Sequence, residues 1–214
     1  MACVLVDVDG TLVAGRSCER WFVAYLLRHG KLGPPQLAAA LKFQFHWAPR
    51  YGRHCFKKNK AYLAGLPTAD IESLAEVFVR DEVKRRLRRT LLLRLESHRA
   101  AGDTIALLTG TPDFIARPLA RTVGIKTWSA TRCAQNDRCF TDDPPLAHPF
   151  AEEKLARARE LCAGLGSELA DCVVYADSGY DLPLLEKVGR PIAVCPDSAL
   201  ARAARRQGWE ILEG

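Results

Sequence analysis

The stretch CVLVDVDGTL, residues 3–12, decides how the rest of the chain is interpreted. Its first four residues are apolar, which is typical of a strand buried on both faces of a parallel sheet. Asp7 and Asp9 follow directly, and residues two apart in an extended segment point to the same side. Because two carboxylates at this distance repel each other, we expect a cation to bind beside them. Oxygen ligands without sulfur or imidazole favour Mg²⁺.

Three later runs share the apolar character of the first and predict further strands, at 104–108, 172–176 and 191–195. Helical patterns occupy 114–124 and 152–166, between these runs. Strands that alternate with helices predict an α/β fold, here a Rossmann-like parallel sheet flanked by helices.

The interval between the first two predicted strands is far longer than a usual crossover. Its pattern is mostly helical, so we expect 14–100 to form an inserted helical cap and 1–13 with 101–214 to form the core domain. The basic run VKRRLRR, 83–89, fits the solvated face of one cap helix. The segment 128–150 is rich in turn residues and predicts a strand followed by a hairpin or loop.

Composition narrows the class of protein but does not select a function. The 214 residues are 48% hydrophobic and 26% charged, with a net charge of +6, which suits a globular protein with anionic partners. Phosphorylated metabolites, nucleic acid and acidic membranes all fit that charge. No apolar stretch approaches the ~18 residues of a membrane span.

The eight cysteines show neither a CxxC motif nor the spacing of a zinc site with histidine. Several lie in apolar runs, where a free cysteine packs as a small hydrophobe. We therefore expect reduced thiols. The aspartates at 7 and 9 also interrupt any signal-peptide-like run, so we expect a cytoplasmic protein.

Polar residues also follow the other predicted strands. Asp177 and Asp181 come after the third strand, four residues apart, so they share one face of a starting helical turn. Thr109 and Gly110 come after the second strand and offer a hydroxyl and a backbone N–H for an anion. Lys154, at the start of a helix, offers a point charge for phosphate. The carboxyl ends of parallel strands meet at one edge, which predicts a site for phosphate and magnesium.

Simpler interpretations of the same residues stay open at this point. The pair Asp7 and Asp9 also fits a plain turn or a calcium loop, and the later acidic pair also fits a helix cap. Lys60 and Lys126 compete with Lys154 for the phosphate. Three histidines have no partner that the sequence identifies, namely His46, His54 and His148.

Taken together, the four elements resemble the haloacid dehalogenase (HAD) superfamily of phosphatases. The motifs are DVDGTL at 7–12, Thr109, Lys154 and DSGYD at 177–181, and they occur in the order of that family. The helical insertion resembles the cap of subfamily IB, the phosphoserine-phosphatase-like branch.

The resemblance implies Mg²⁺-dependent hydrolysis of a small phosphomonoester through an aspartyl-phosphate. It implies that Asp7 is the nucleophile and that Asp9 is the general acid and base. The family pattern assigns the metal to Asp7, Asp9, Asp177 and Asp181, and the phosphate to Thr109, Gly110 and Lys154.

The position nine residues after the nucleophile bears on the substrate. Phosphoserine phosphatases of this branch usually carry a glutamate there for the substrate amine, whereas this chain has Arg16. Arginine reverses the local charge, so it favours a substrate that carries a carboxylate or a second phosphate. This holds unless Arg16 points to solvent. We therefore expect phosphoserine to be a possible substrate but not the preferred one.

Alternative functions stay open beside this one. They are a phosphoserine phosphatase proper, a phosphotransferase with the same intermediate, and a non-catalytic protein that binds a phospholigand or nucleic acid. We expect a small phosphorylated substrate, no nucleic-acid partner, no membrane span, and a monomer or homodimer.

Overall fold

A six-stranded parallel sheet forms the centre of the computed structural model, which describes residues 2–15 and 17–214. The strand order is β3-β2-β1-β4-β5-β6, so the first strand lies in the middle. The strands are β1 (Cys3–Val6), β2 (Thr104–Pro112), β3 (Thr127–Thr131), β4 (Val173–Ala176), β5 (Arg190–Val194) and β6 (Glu210–Leu212). The prediction of a Rossmann-like parallel sheet flanked by helices is confirmed.

Helices separate most of these strands. Among the described residues, five α-helices lie between β1 and β2: α1 (Cys18–Arg28), α2 (Pro34–Tyr51), α3 (Cys55–Lys58), α4 (Thr68–Phe78) and α5 (Arg89–Ala100). Four follow: α6 (Asp113–Thr122), α7 (Glu152–Gly164), α8 (Leu182–Leu185) and α9 (Ser198–Gln207). Within the described ranges, none of these helices combines the length and apolarity that a membrane crossing needs.

The alternation along β1 explains how the sheet is covered on both faces. Val4 and Val6 belong to an apolar cluster that includes buried residues of α1, α4, α5 and α6. Cys3 and Leu5 belong to a second cluster, which includes buried residues of α7 and α9. Successive side chains of a strand point to opposite faces, so each face of the sheet has its own helical layer.

The inserted region meets the sheet through α5. Leu91 and Leu95 of α5 are fully buried and belong to the same apolar cluster as β1. A smaller cluster lies within the insertion itself and is built on Phe43, Cys55 and Ala61. The division into a cap at 14–100 and a core stays a prediction.

The basic run 83–89 does not form one continuous helix. A π-helical turn ends at Val83, and Leu87 has an extended backbone just before α5 begins. The expectation of one solvated helix face is therefore wrong. Arg88 instead turns inward, and its guanidinium donates hydrogen bonds to the carbonyl of Gly10 at 3.0 and 3.2 Å.

Sequence reasoning missed two features of the core. The short strand β6 joins the sheet beside β5. Three buried cysteines, Cys3, Cys162 and Cys172, bring their sulfur atoms within 4.8 Å of one another, although Cys3 is far from the other two in sequence. All eight cysteines are free thiols.

Candidate active site

Asp7, Lys154 and Asp181 form a buried ionic triad at the carboxyl end of β1. The Nζ atom of Lys154 lies 2.7 Å from Asp7 Oδ1 and 2.8 Å from Asp181 Oδ2. All three residues are less than one-tenth exposed. The backbone N–H of Asp7 donates to the carbonyl of Tyr175 in β4, at 3.0 Å. Pairing of the two strands therefore places Asp7 beside the loop that carries Asp181.

Asp177 follows β4 and packs directly on the backbone of Gly10. A Cβ atom at Gly10 would lie 2.0 Å from Asp177 Oδ2, and Gly10 has φ +82°, which disfavours side chains as well. The hydroxyl of Thr11 lies 3.2 Å from Asp177 Oδ1 and 3.4 Å from Asp7 Oδ2. The Gly-Thr pair after the aspartates therefore allows the two acidic loops to meet.

Asp9 is oriented by two donors from different elements. The backbone N–H of Cys18, at the start of α1, donates to Asp9 Oδ1 at 2.7 Å, and the Thr111 hydroxyl donates to Oδ2 at 3.0 Å. Thr109 is buried, and its hydroxyl oxygen accepts the backbone N–H of Thr111 at 3.1 Å. Thr111 therefore connects the end of β2 to Asp9.

The carboxylates are crowded, and their pKa values reflect this. Burial, and then the charges of Asp7 and Asp181, raise the pKa of Asp177 to about 7. Burial also raises the pKa of Asp181 to about 6 and that of Asp7 above its ordinary value, although Lys154 opposes both shifts. Burial lowers the pKa of Lys154, but Asp181 and Asp7 raise it more. The cluster therefore favours an additional positive charge.

A cavity of about 250 Å³ opens onto these carboxylates. Core segments and the inserted helices both contribute to its wall. The core side includes Thr109, Gly110, His148, Phe150 and Tyr180, and the inserted region adds Ser17, Glu19, Lys57 and Lys60.

A second buried ion pair lies in this wall, on the inserted helices. Lys60 is 4% exposed, and its Nζ atom lies 2.7 and 2.6 Å from the two carboxylate oxygens of Glu19. The third donor position of the ammonium is used by the carbonyl of Lys57, at 2.9 Å. The Tyr62 hydroxyl donates to Glu19 at 2.9 Å. Lys60 is therefore engaged by protein groups, unlike a lysine that is free to hold phosphate.

The structure brings all but one of the predicted site residues together. Six of them line the cavity with Asp7, namely Asp9, Thr109, Gly110, Lys154, Asp177 and Asp181. The competing lysine at 126 is exposed just before β3. Arg16 lies outside the described residues, so the argument about substrate charge stays a prediction.

Asp197 is a site-supporting residue that sequence reasoning missed. Its Oδ2 accepts the Gly179 N–H at 2.9 Å and the Ser178 hydroxyl at 3.1 Å, and its own N–H donates to the Asp177 carbonyl at 2.8 Å. Burial raises the pKa of Asp197, but the N–H groups of Leu200 and Gly179 lower it more. Its position just after β5 could have identified it, because that strand ends at the same edge of the sheet as the other site residues.

The chain matches the family model of the haloacid dehalogenase-like hydrolases over residues 4–186. It belongs to that family. The match includes β1 from Val4 onward, all the site residues described above except Asp197, and the helices inserted between β1 and β2. The resemblance inferred from the four motifs is confirmed, as is the prediction of an enzyme of the HAD phosphatase type.

Two named relatives align with nearly the whole chain, and a third aligns with 56% of it. Histidinol-phosphatase of Neisseria meningitidis is 28% identical over 218 residues, which cover 97% of this chain and 96% of that protein. Phosphoserine phosphatase SerB1 of Mycobacterium tuberculosis is 29% identical over 98% of this chain and 70% of its own length. An inhibition of morphological differentiation protein of Streptomyces azureus is 37% identical over 120 residues, only 43% of its length.

Solved structures share the fold. A protein of unknown function from Bordetella pertussis superposes with a TM-score of 0.81 at 32% identity, covering 99% of this chain and 98% of that one. A phosphoserine phosphatase with a phospho-aspartyl intermediate analogue superposes with a TM-score of 0.63 at 18% identity, covering 99% and 92%.

Proposed function

We propose that this protein is a Mg²⁺-dependent phosphatase that hydrolyses a small phosphomonoester through an aspartyl-phosphate on Asp7. The observation that carries the proposal is the Lys154 ammonium, which bridges Asp7 and Asp181 at 2.7 and 2.8 Å beside the cavity. Lys154 holds one carboxylate oxygen of Asp7, and the other oxygen attacks phosphorus as the ester P–O bond breaks. Asp9 donates a proton to the leaving oxygen.

The second step regenerates the enzyme. Asp9, now a carboxylate, takes a proton from water as the water oxygen attacks phosphorus, and the bond between Asp7 and phosphorus breaks. Inorganic phosphate leaves. Cys18 and Thr111 hold the two oxygens of Asp9 in both steps. Thr109, Gly110 and Lys154 hold the phosphoryl oxygens and stabilise their developing charge.

The donor set fits a magnesium ion. The Lys154 ammonium bridges Asp7 and Asp181 but does not contact Asp177. Burial, and then the charges of Asp7 and Asp181, raise the pKa of Asp177 to about 7, so a further cation is favourable there. Asp7, Asp177 and the Asp9 carbonyl would hold the ion, with Asp181 as a further ligand or as their support. When bound, Mg²⁺ neutralises charge on the phosphoryl group.

The test is phosphate release from a panel of phosphomonoesters that includes p-nitrophenyl phosphate, with Mg²⁺ present. We expect Asp7→Asn to lose about 10³-fold or more of kcat, because the amide is a poor nucleophile. Asp171→Asn, at an exposed aspartate outside the cavity, is the matched control and should keep wild-type activity. Wild-type turnover in Asp7→Asn would refute the mechanism, and product transfer to an added alcohol would favour the phosphotransferase.

The relatives support a phosphorylated small molecule as substrate, since those with named substrates act on phosphoserine or histidinol phosphate. We keep as predictions the monomer or homodimer, the cytoplasmic location and the lack of a nucleic-acid partner.

A further inference from the structure

His148 lies in the wall of the cavity and has no role in the mechanism above. It precedes α7, is 3% exposed, and stacks on Phe150 with ring centroids 5.6 Å apart. A Cβ atom at Gly110 would lie 3.8 Å from His148 Cε1. The imidazole is therefore next to the loop proposed to hold the phosphate.

A chain of hydrogen bonds fixes the tautomer of His148. The Thr131 hydroxyl donates to the carbonyl of Gly110 at 2.6 Å. The same hydroxyl oxygen lies 2.8 Å from His148 Nδ1. A hydroxyl has one hydrogen, and the carbonyl accepts it. Thr131 is therefore the acceptor toward His148, whose Nδ1 carries the proton, and Nε2 is left with a lone pair.

The imidazole is also neutral at physiological pH. Burial, and then the positive charges of Lys60, Lys58 and Lys57, lower the pKa of His148 to about 3. A protonated ring, which would donate from both nitrogen atoms, is thus disfavoured. Nε2 is an acceptor.

Among the described residues, the buried Nε2 atom has no hydrogen-bond partner. The nearby ammonium of Lys60 does not supply one, because Glu19 and the Lys57 carbonyl take its three donor positions. The stacked ring of Phe150 has no donor. A buried acceptor without a partner costs free energy, and the residue that carries this one lines the cavity.

We propose that His148 Nε2 accepts a hydrogen bond from a hydroxyl or N–H group on the leaving group of the substrate. The inference rests on the proposed phosphatase function and narrows its substrate class. Because the imidazole adjoins Gly110, the donor belongs to a carbon close to the ester oxygen. The favoured substrates are phosphomonoesters of polyols or amino alcohols, rather than simple alkyl or aryl phosphates.

Two substrate pairs test the inference: sn-glycerol 3-phosphate against propyl phosphate, and phosphoethanolamine against ethyl phosphate. One hydrogen bond to a neutral acceptor predicts a preference of about 10-fold in kcat/KM for the member with the donor. In His148→Asn, the side-chain amide can still donate to Thr131 but has no atom at Nε2. In this variant we expect the ratio of kcat/KM within each pair to fall to about 1, while p-nitrophenyl phosphate turnover changes little. His148→Gln carries an oxygen near Nε2 and should retain part of the preference.

The tautomer has a readout that needs no turnover. In ¹⁵N-histidine-labelled protein, the shifts of His148 should show a protonated Nδ1 and a bare Nε2 at pH 7. A protonated Nε2 would overturn the inference. So would a donor preference that survives His148→Asn, or turnover of p-nitrophenyl phosphate without preference in either pair. If no phosphomonoester is hydrolysed at all, the proposed function fails first, and the inference fails with it.

Discussion

Replacing Ala151 by glycine tests the backbone turn from which α7 begins. Ala151 has φ 51° and ψ −126°, a conformation that residues with a side chain avoid at a cost of about 1–3 kcal/mol. Glycine removes this strain but gives the unfolded chain more freedom, which costs roughly 0.5–1 kcal/mol. The difference between the strain that is removed and this entropic cost predicts that Ala151→Gly stabilises the protein by about 1 kcal/mol. For a chain of this size, the melting temperature should rise by about 2–4 °C.

The assay is urea denaturation followed by circular dichroism, with Ala156→Gly as the matched control. Ala156 is exposed within the same helix, where glycine costs about 1 kcal/mol. The same substitution of alanine by glycine should thus raise the free energy of unfolding at Ala151 and lower it at Ala156. Destabilisation of similar size at both positions would refute the strained backbone at Ala151.

Two further predictions concern buried charges. Lys60→Met leaves the Glu19 carboxylate without its cationic partner, so we expect the free energy of unfolding, measured by urea denaturation, to fall by about 3 kcal/mol. Lys58→Met breaks a more exposed ion pair and should cost less than about 1 kcal/mol. Equal losses would contradict this. In metal-free protein, the pKa values of Asp177 and Asp181, about 7 and about 6, lie above their ordinary 3.8, so the folded state binds more protons. Their stabilising contribution is complete below about pH 4 and is lost as the pH rises through 7. Thermal melts with EDTA from pH 4 to 8 should show this decline, and an equally steep decline in Asp177→Asn would count against the assignment.

The sequence alone predicts the centre of the molecule well. The apolar runs at β1, β2, β4 and β5 are short and bounded by turn residues, so each fits a buried parallel strand. Because such strands end at one edge of the sheet, the polar residues after them had to meet. This rule was enough to bring Asp7, Thr109 and Asp177 to one cavity.

The packing of the inserted helices and the contacts of the loop before α7 were beyond such reasoning. Glu19 and Lys60 are 41 residues apart and meet only because the helices pack. His148 donates a hydrogen bond to Thr131, which lies 17 residues earlier in β3, and no spacing in the sequence encodes that contact. The strand β6 has only three residues and is half-buried, so it lacks a clear apolar run.

The central position of β1 has a consequence for how the protein folds. The contact between Asp7 and Lys154 spans 147 residues, and β1 pairs with β4 only after most of the chain exists. Contacts of such long range form slowly, because a large loop must close first. During synthesis the first strand has no partner strands, because these emerge much later. Its aspartates stay hydrated until then. We expect catalytic competence to arise in one late event, when the β4 segment docks, so that partly made chains are inert.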